Sequence, residues 1–239
     1  MLRAAADAGT RVIASTPHLR SDFPGVHLHE LADRCDSLGT EIARAEIPVE
    51  VVCGAETSLT WAVEADEEEL RLASYGQRGG DLLIETPSMP VAGLDRFFHG
   101  LQLRGYRITL AHPERSAEFQ RDIEPLRELV KDGLLLQVNA ESLAAGRRRS
   151  GSRDFAARLC SEGLAQVLAS DGHRASSWRP VTSLPGGLEA LSELVVADRA
   201  DWMVRGVPRA IVDGDGLPPE PPVQSASRGS RLFRRARRG

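Results

Sequence analysis

The chain has 239 residues, 41% apolar and 27% charged, which fits one sizeable soluble domain. Its net charge of −4 is uneven: the segment from Leu217 onward carries +5, leaving −9 on the first 216 residues, so nucleic acid is excluded as a partner and a cation-gathering site is favoured. No apolar run approaches the ~20 residues of a membrane span, and Met1–Asp7 is too acidic for a secretory signal, so a cytoplasmic location is expected.

Met1–Ala8, ahead of Gly9, reads as the end of a helix already under way. The first strand is expected over Arg11–Thr16. An amphipathic helix follows over His27–Ala45, with Leu28, Leu31, Cys35, Leu38, Ile42 and Ala45 spaced close to 3.6 residues. Further strands are expected over Val49–Ala55, Asp81–Glu85, Arg107–Ala111, Gly133–Val138 and Ala165–Ala169. Runs such as Leu82-Leu83-Ile84 and Leu134-Leu135-Leu136 are apolar throughout, as in parallel strands covered on both faces. Helices are expected between them, over Asp66–Ala73, Leu94–Leu103, Ile123–Lys131 and Asp154–Glu162, and after them over Leu188–Ala197 and Arg199–Val204. Alternation of strand and helix implies βα units with right-handed crossovers. Two regions follow: a domain over 1–216 and, over 217–239, a Pro/Arg-rich disordered tail, with weak docking on an anionic surface as the alternative.

Five of the strands end in a histidine or carboxylate. The segments are Thr16-Pro17-His18, Gly54-Ala55-Glu56, Leu83-Ile84-Glu85, Ala111-His112-Pro113-Glu114-Arg115 and Ser170-Asp171-Gly172-His173. Such residues at successive strand ends share one rim of a barrel and suit divalent cations. Arg115, one turn beyond His112, offers a planar fork for phosphate oxygens. Asp171 and His173, two residues apart on an extended segment, would face the same way, and Gly172 permits close backbone approach. The bland readings are a salt bridge to a rim arginine for Glu56 and Glu85, and a helix cap for Ser170 or Asp171. His27, His29 and His99 are expected on solvated or structural helix faces.

Two other chemistries are excluded. A thiol phosphatase needs an arginine six residues after its cysteine, and Cys35, Cys53 and Cys160 are followed there by Glu41, Leu59 and Gln166. A P-loop needs a lysine after a glycine-rich loop, and Lys131, the one lysine, has none before it.

Together with Gln137-Val138-Asn139-Ala140-Glu141-Ser142-Leu143 and Pro208–Gly214, the rim motifs resemble a known group. They are similar, in order and over roughly Met1–Gly216, to the bacterial tyrosine-protein phosphatases of the PHP (polymerase and histidinol phosphatase) superfamily. These are the CpsB/CapC-like proteins of capsule and exopolysaccharide synthesis. The resemblance implies a distorted (β/α)7 barrel of PHP type with a trinuclear metal cluster, usually manganese, although zinc or iron suits the same donors. It implies that Glu56 bridges two metals, with Glu85 and His112 completing one, Asp171 serving the other, and His18 and His173 serving the third. Arg115 and Arg179 would hold the phosphate.

The implied reaction is hydrolysis of protein phosphotyrosine by a hydroxide formed from metal-bound water, on a tyrosine autokinase that controls polysaccharide export. The alternatives are a small phosphate ester such as histidinol phosphate, or a binding remnant without turnover. The family's opening strand, with an H-x-H pair and a nearby aspartate, does not precede Met1. The expectation is therefore that the first strand is missing from this chain and that the true start lies upstream.

Overall fold

The apolar runs expected as strands form parallel sheet in the computed structural model of the chain, which describes residues 1–89, 91–144, 150–176 and 178–223. The strands are β1 (Val12–Ser15), β2 (His18–Leu19), β3 (Glu50–Cys53), β4 (Glu56–Thr57), β5 (Asp81–Glu85), β6 (Arg107–Ala111), β7 (Leu135–Asn139) and β8 (Val167–Ala169). β1 and β3 lie within the strands expected over Arg11–Thr16 and Val49–Ala55, and each is followed, after a break of two residues, by a two-residue strand, β2 or β4, beyond the expected bounds. One break is at Thr16-Pro17, where proline lacks the N–H that a ladder needs; the other is at Gly54-Ala55.

The order is β2-β4-β5-β6-β7-β8 in one sheet, with β1 beside β3, and every pairing is parallel. Sequential neighbours wind in one direction, as in a barrel, and the order never reverses as it does in a doubly wound sheet. Among the described residues, β2 and β8 do not pair with each other.

Leu82, Ile84, Ile108, Leu110, Leu136 and Val138 are fully buried. Each contributes roughly 1.5–3 kcal/mol by leaving water. Helices supply the cover. Helix Leu31–Arg44 packs on β3 and Leu94–Leu103 on β6. Asp66 and Glu69 form a reciprocal capping box that starts Glu67–Ala73.

Three expectations are corrected. The helix expected over Leu188–Ala197 spans Leu184–Ser192. It includes Pro185-Gly186-Gly187 because proline is tolerated in a first turn and because Gly187 lies against Ala140, where a Cβ would come within 2.7 Å of the Ala140 Cα. His27 caps a short 3-10 turn, Leu28–Glu30, and His29 lies within it, so neither is on the α-helix itself. Finally, Leu217–Val223, expected to open a solvated tail, packs on the body because the buried Arg199 takes hydrogen-bond acceptors from Glu220 and Pro221. The Arg-rich stretch Ser225–Gly239 lies outside the described residues.

Candidate metal centre

The register places the candidate residues along one rim. His18 stands opposite Glu56, Glu56 opposite Leu83, Glu85 opposite Ala111 and Asn139 opposite Ala169. His112 follows β6 directly, and Asp171 lies two residues beyond β8. The backbone is unusual at this rim. His112, Asp171 and Arg179 have positive φ, at 41°, 47° and 51°. Non-glycine residues in that region store strain, which persists only where surrounding contacts enforce it.

Glu56 is the hub. It is 4% exposed, and its Oε1 accepts from His112 Nε2 at 2.9 Å. Its Oε2 lies 3.4 Å from His18 Nδ1. Burial pushes its carboxyl up, but the His112 hydrogen bond, with His112, His18 and Arg179 as nearby charges, outweighs this and leaves it below the usual carboxylate range. His18, Glu56 and Glu85 each offer a ligand atom, all within 4.8 Å of one another. Glu85 also pairs with Arg20 at 2.6 Å.

The second group gathers around Asp171. Its Oδ2 accepts from Asn139 Nδ2 at 2.6 Å, and the Arg179 guanidinium contacts the same oxygen. Arg115 stands 4.0 Å away. His173 Nδ1 lies 3.6 Å from Asp171 Oδ1 and donates to the Asp171 carbonyl at 3.0 Å. Its Nε2 accepts from Arg179 at 3.0 Å. Asp171 and His173 therefore converge through a left-handed turn at Asp171, not through the extended alternation expected from sequence. Gly172 makes the turn possible: a Cβ there would lie 2.7 Å from the Val181 Cα.

The two groups adjoin. The His18 and His173 rings are 5.8 Å apart, so β2 and the loop after β8 approach each other at this rim.

The donor set fits a divalent ion. His18 Nδ1 is buried with no hydrogen-bond partner, an orphaned lone pair or proton that an ion would satisfy. Burial lowers the pKa of both His18 and His173 despite nearby carboxylates. Both are thus neutral imidazoles at neutral pH, the form that ligates metal. One difference from the expected arrangement emerges: His18 is the histidine grouped with Glu56 and Glu85, while His112 meets Glu56 alone at hydrogen-bond distance.

Several contributors carried no ligand-type signal in the sequence. Asn139 orients Asp171, and Arg20 occupies Glu85. Glu114, fully buried, accepts from the Asn139 N–H at 3.2 Å and the Ser142 hydroxyl at 2.8 Å. Burial pushes its carboxyl up, which favours the neutral acid. Glu114 and Asn139 lie inside motifs that drew attention for neighbouring residues.

Comparisons with known proteins point to one family. A family model described as capsular polysaccharide synthesis, CpsB/CapC, matches residues 1–207. Tyrosine-protein phosphatase YwqE of Bacillus subtilis (strain 168) is 34% identical over 177 residues, 72% of this chain and 68% of that protein. A solved structure described as YwqE from Bacillus subtilis and CpsB from Streptococcus pneumoniae, unique metal-dependent tyrosine phosphatases, superposes with a TM-score of 0.78. It is 27% identical and covers 95% of this chain and 90% of the other.

Proposed function

The chain belongs to the CpsB/CapC family of capsular polysaccharide synthesis, and we propose that it is a metal-dependent protein-tyrosine phosphatase. The observation that carries this reading is the convergence of His18, Glu56 and Glu85 within 4.8 Å, in a chain whose relatives are described as metal-dependent tyrosine phosphatases.

His18, Glu56 and Glu85 would hold an ion, and His112, Asp171 and His173 are the further residues that would ligate metal at this rim. Bound ions would supply Lewis acidity and a water acidified to near neutral pH. The protein's own groups do the rest. Arg115, whose side chain is 45% exposed, presents its fork where a phosphate can enter from solvent. Arg179 lies between Asp171 and His173, so its charge can follow the equatorial oxygens as negative charge builds. Asn139 fixes the Asp171 carboxylate, and the Nδ1 bond of His173 fixes its tautomer. Phenolate is a comparatively stable leaving group, so a strong general acid is not required.

Manganese is the proposed ion, and a tyrosine autokinase of capsule or exopolysaccharide synthesis the proposed substrate. The catalytic unit is proposed to span 1–216, with Leu217–Val223 packed on it through Arg199. Three free cysteines favour a reducing, cytoplasmic setting, and among the described residues no helix is long and apolar enough to cross a membrane.

The deciding experiment incubates the metal-loaded protein with phosphotyrosyl peptides beside a panel of small phosphate esters, histidinol phosphate included. Manganese-dependent release from the peptides supports the reading. Turnover that persists in excess chelator, or that favours a small ester, would overturn it.

A further inference from the structure

Four aromatic rings, two from β2 and the loop after it and two from the loop after β8, stand in a row across the mouth of the site. Phe23 lies 4.9 Å from His18, His18 5.8 Å from His173, and His173 5.6 Å from Trp178. The inner pair are candidate ligands. The outer pair have no such duty, yet Phe23 is 42% exposed and Trp178 55%. Elsewhere Phe98, Phe119 and Phe155 are buried in the core. Large aromatic surface left in water on both sides of a polar site marks a place that something apolar covers.

Both outer rings are held in position. The Arg20 guanidinium lies 5.6 Å from the Phe23 ring centre, and Arg179 lies 5.3 Å from that of Trp178. Each arginine is itself anchored to a rim carboxylate, Arg20 to Glu85 and Arg179 to Asp171. The backbones are tied as well. The Phe23 N–H donates to Arg20 and the Val26 N–H to Phe23. On the other side, the His173 N–H donates to Arg179 at 2.8 Å and the Val181 N–H to Arg174 at 2.9 Å. The rings therefore form a prepared surface, each linked through an arginine to the carboxylates of the candidate centre.

We propose that Phe23 and Trp178 are specificity-determining residues that receive the aryl ring of a phosphotyrosyl substrate while its phosphate lies at Arg115 and Arg179. This rests on the phosphatase reading and adds to it the source of selectivity for an aryl ester. A ring entering between the two loops gains offset or edge-on aromatic contact on each side. A phosphoserine side chain, which has no ring, gains nothing from them. Aromatic pairs of this kind are worth a few-fold to about tenfold each in affinity.

The test uses two non-hydrolysable probes with the same anionic head, phenylphosphonate and methylphosphonate. Binding to the manganese-loaded protein is measured by titration calorimetry, for the wild type and for Phe23→Leu/Trp178→Leu, which keeps the loops apolar. The expected result is that the wild type prefers the phenyl probe by about tenfold or more and that the double variant loses most of this preference. An unchanged ratio would overturn the proposal, whether both affinities hold or both fall together. The latter outcome would show that the rings only brace His18 and His173. If neither phosphonate binds the folded wild type, the phosphatase reading fails, and this proposal with it. That outcome differs from normal binding without aryl preference, which sinks the proposal alone.

Discussion

Glu56 begins β4 and His112 directly follows β6, with β5 between the two strands, yet Glu56 Oε1 and His112 Nε2 meet at 2.9 Å. The contact spans the middle strand because Glu56 reaches across the rim from a nearly dry position. A carboxylate is tolerated there only when charge or hydrogen bonds compensate its lost hydration. Glu56→Gln keeps the volume and removes the charge. We expect the variant to fold, to lose bound metal, and to lose about 10²-fold or more in turnover. Metal analysis beside circular dichroism checks this. A variant with full metal content would remove Glu56 from the centre.

Arg115 and Arg179 divide one task differently. Arg115 stands 4.0 Å from Asp171, whereas Arg179 contacts both Asp171 and His173. Arg115→Ala is expected to weaken phosphate binding, raising KM and lowering kcat/KM by roughly 10–10²-fold, with metal content unchanged. Arg179→Ala should also lower metal content, because two candidate ligands lose their positioning partner. Arg115→Lys should recover little, since a point charge does not reproduce the fork. Identical metal content in both alanine variants would contradict this division.

Removing metal should cost stability as well as activity. An ion that binds only the folded chain stabilises it by about 2.7 kcal/mol at a hundredfold excess over its Kd. For a chain of this size that corresponds to roughly 5–10 °C in melting temperature. Dialysis against a chelator should lower the midpoint by that amount, and manganese should restore it. An unchanged midpoint in a protein shown to lose its metal would mean that the rim is already braced without it, for example by the Arg20–Glu85 pair.

The strands and the rim were legible because both follow from local pattern. Continuous apolar runs ending in His, Asp or Glu specify a buried strand and a polar end within a few residues, and Asp81–Glu85 and Arg107–Ala111 match their expected bounds. Contacts between distant segments were not legible. Arg20 and Asn139 are ordinary polar residues until folding brings Glu85 and Asp171 to them. Phe23 and Trp178 are single aromatics in polar loops, where periodicity says nothing. The helix Leu184–Ser192 was displaced in the sequence reading because Pro185-Gly186-Gly187 signals a break, and only the Ala140 contact gives those small residues a packing reason.

Thiol chemistry separates this mechanism from a cysteine phosphatase. Burial, reinforced by the neighbouring Cys35, pushes the Cys53 thiol up to about 12, and burial alone accounts for most of the rise of Cys160 to about 12. Only the thiolate is alkylated readily. At pH 8, about four units below these values, roughly one thiol in 10⁴ is ionised. Labelling of Cys53 should therefore be slow and should quicken about tenfold per pH unit up to about 12, although Cys53 borders an open cleft of about 790 Å³ beside helix Leu31–Arg44. Peptide mass spectrometry after iodoacetamide treatment reads the rate, and turnover should survive the treatment. Fast labelling of Cys53 at pH 8 with loss of turnover would contradict both points.

Arg199 gives the segment after Gly216 a structural duty. The side chain is 0% exposed. Its guanidinium donates to Pro221 O at 2.8 Å, Glu220 Oε1 at 2.7 Å and Gly163 O at 3.2 Å, and it lies 5.3 Å from the Trp202 ring centre. Trp202 Nε1 in turn donates to Pro218 O at 3.1 Å. Truncation after Gly216 removes the acceptors from Pro218, Glu220 and Pro221. It leaves a charge that had been fully buried with one carbonyl among those partners. Breaking such an arrangement costs about 3–5 kcal/mol, reduced to the extent that water reaches the uncovered guanidinium. Glu220→Gln should cost under about 1 kcal/mol, because Glu220 is half exposed and an amide oxygen still accepts. Arg199→Met in the truncated chain should recover much of the loss, since an apolar side chain has no charge to strand. Urea unfolding of the full-length and truncated chains, each with and without Arg199→Met, tests the coupling, and independent, additive effects of the truncation and the Arg199 substitution would show that the segment does not act through this side chain.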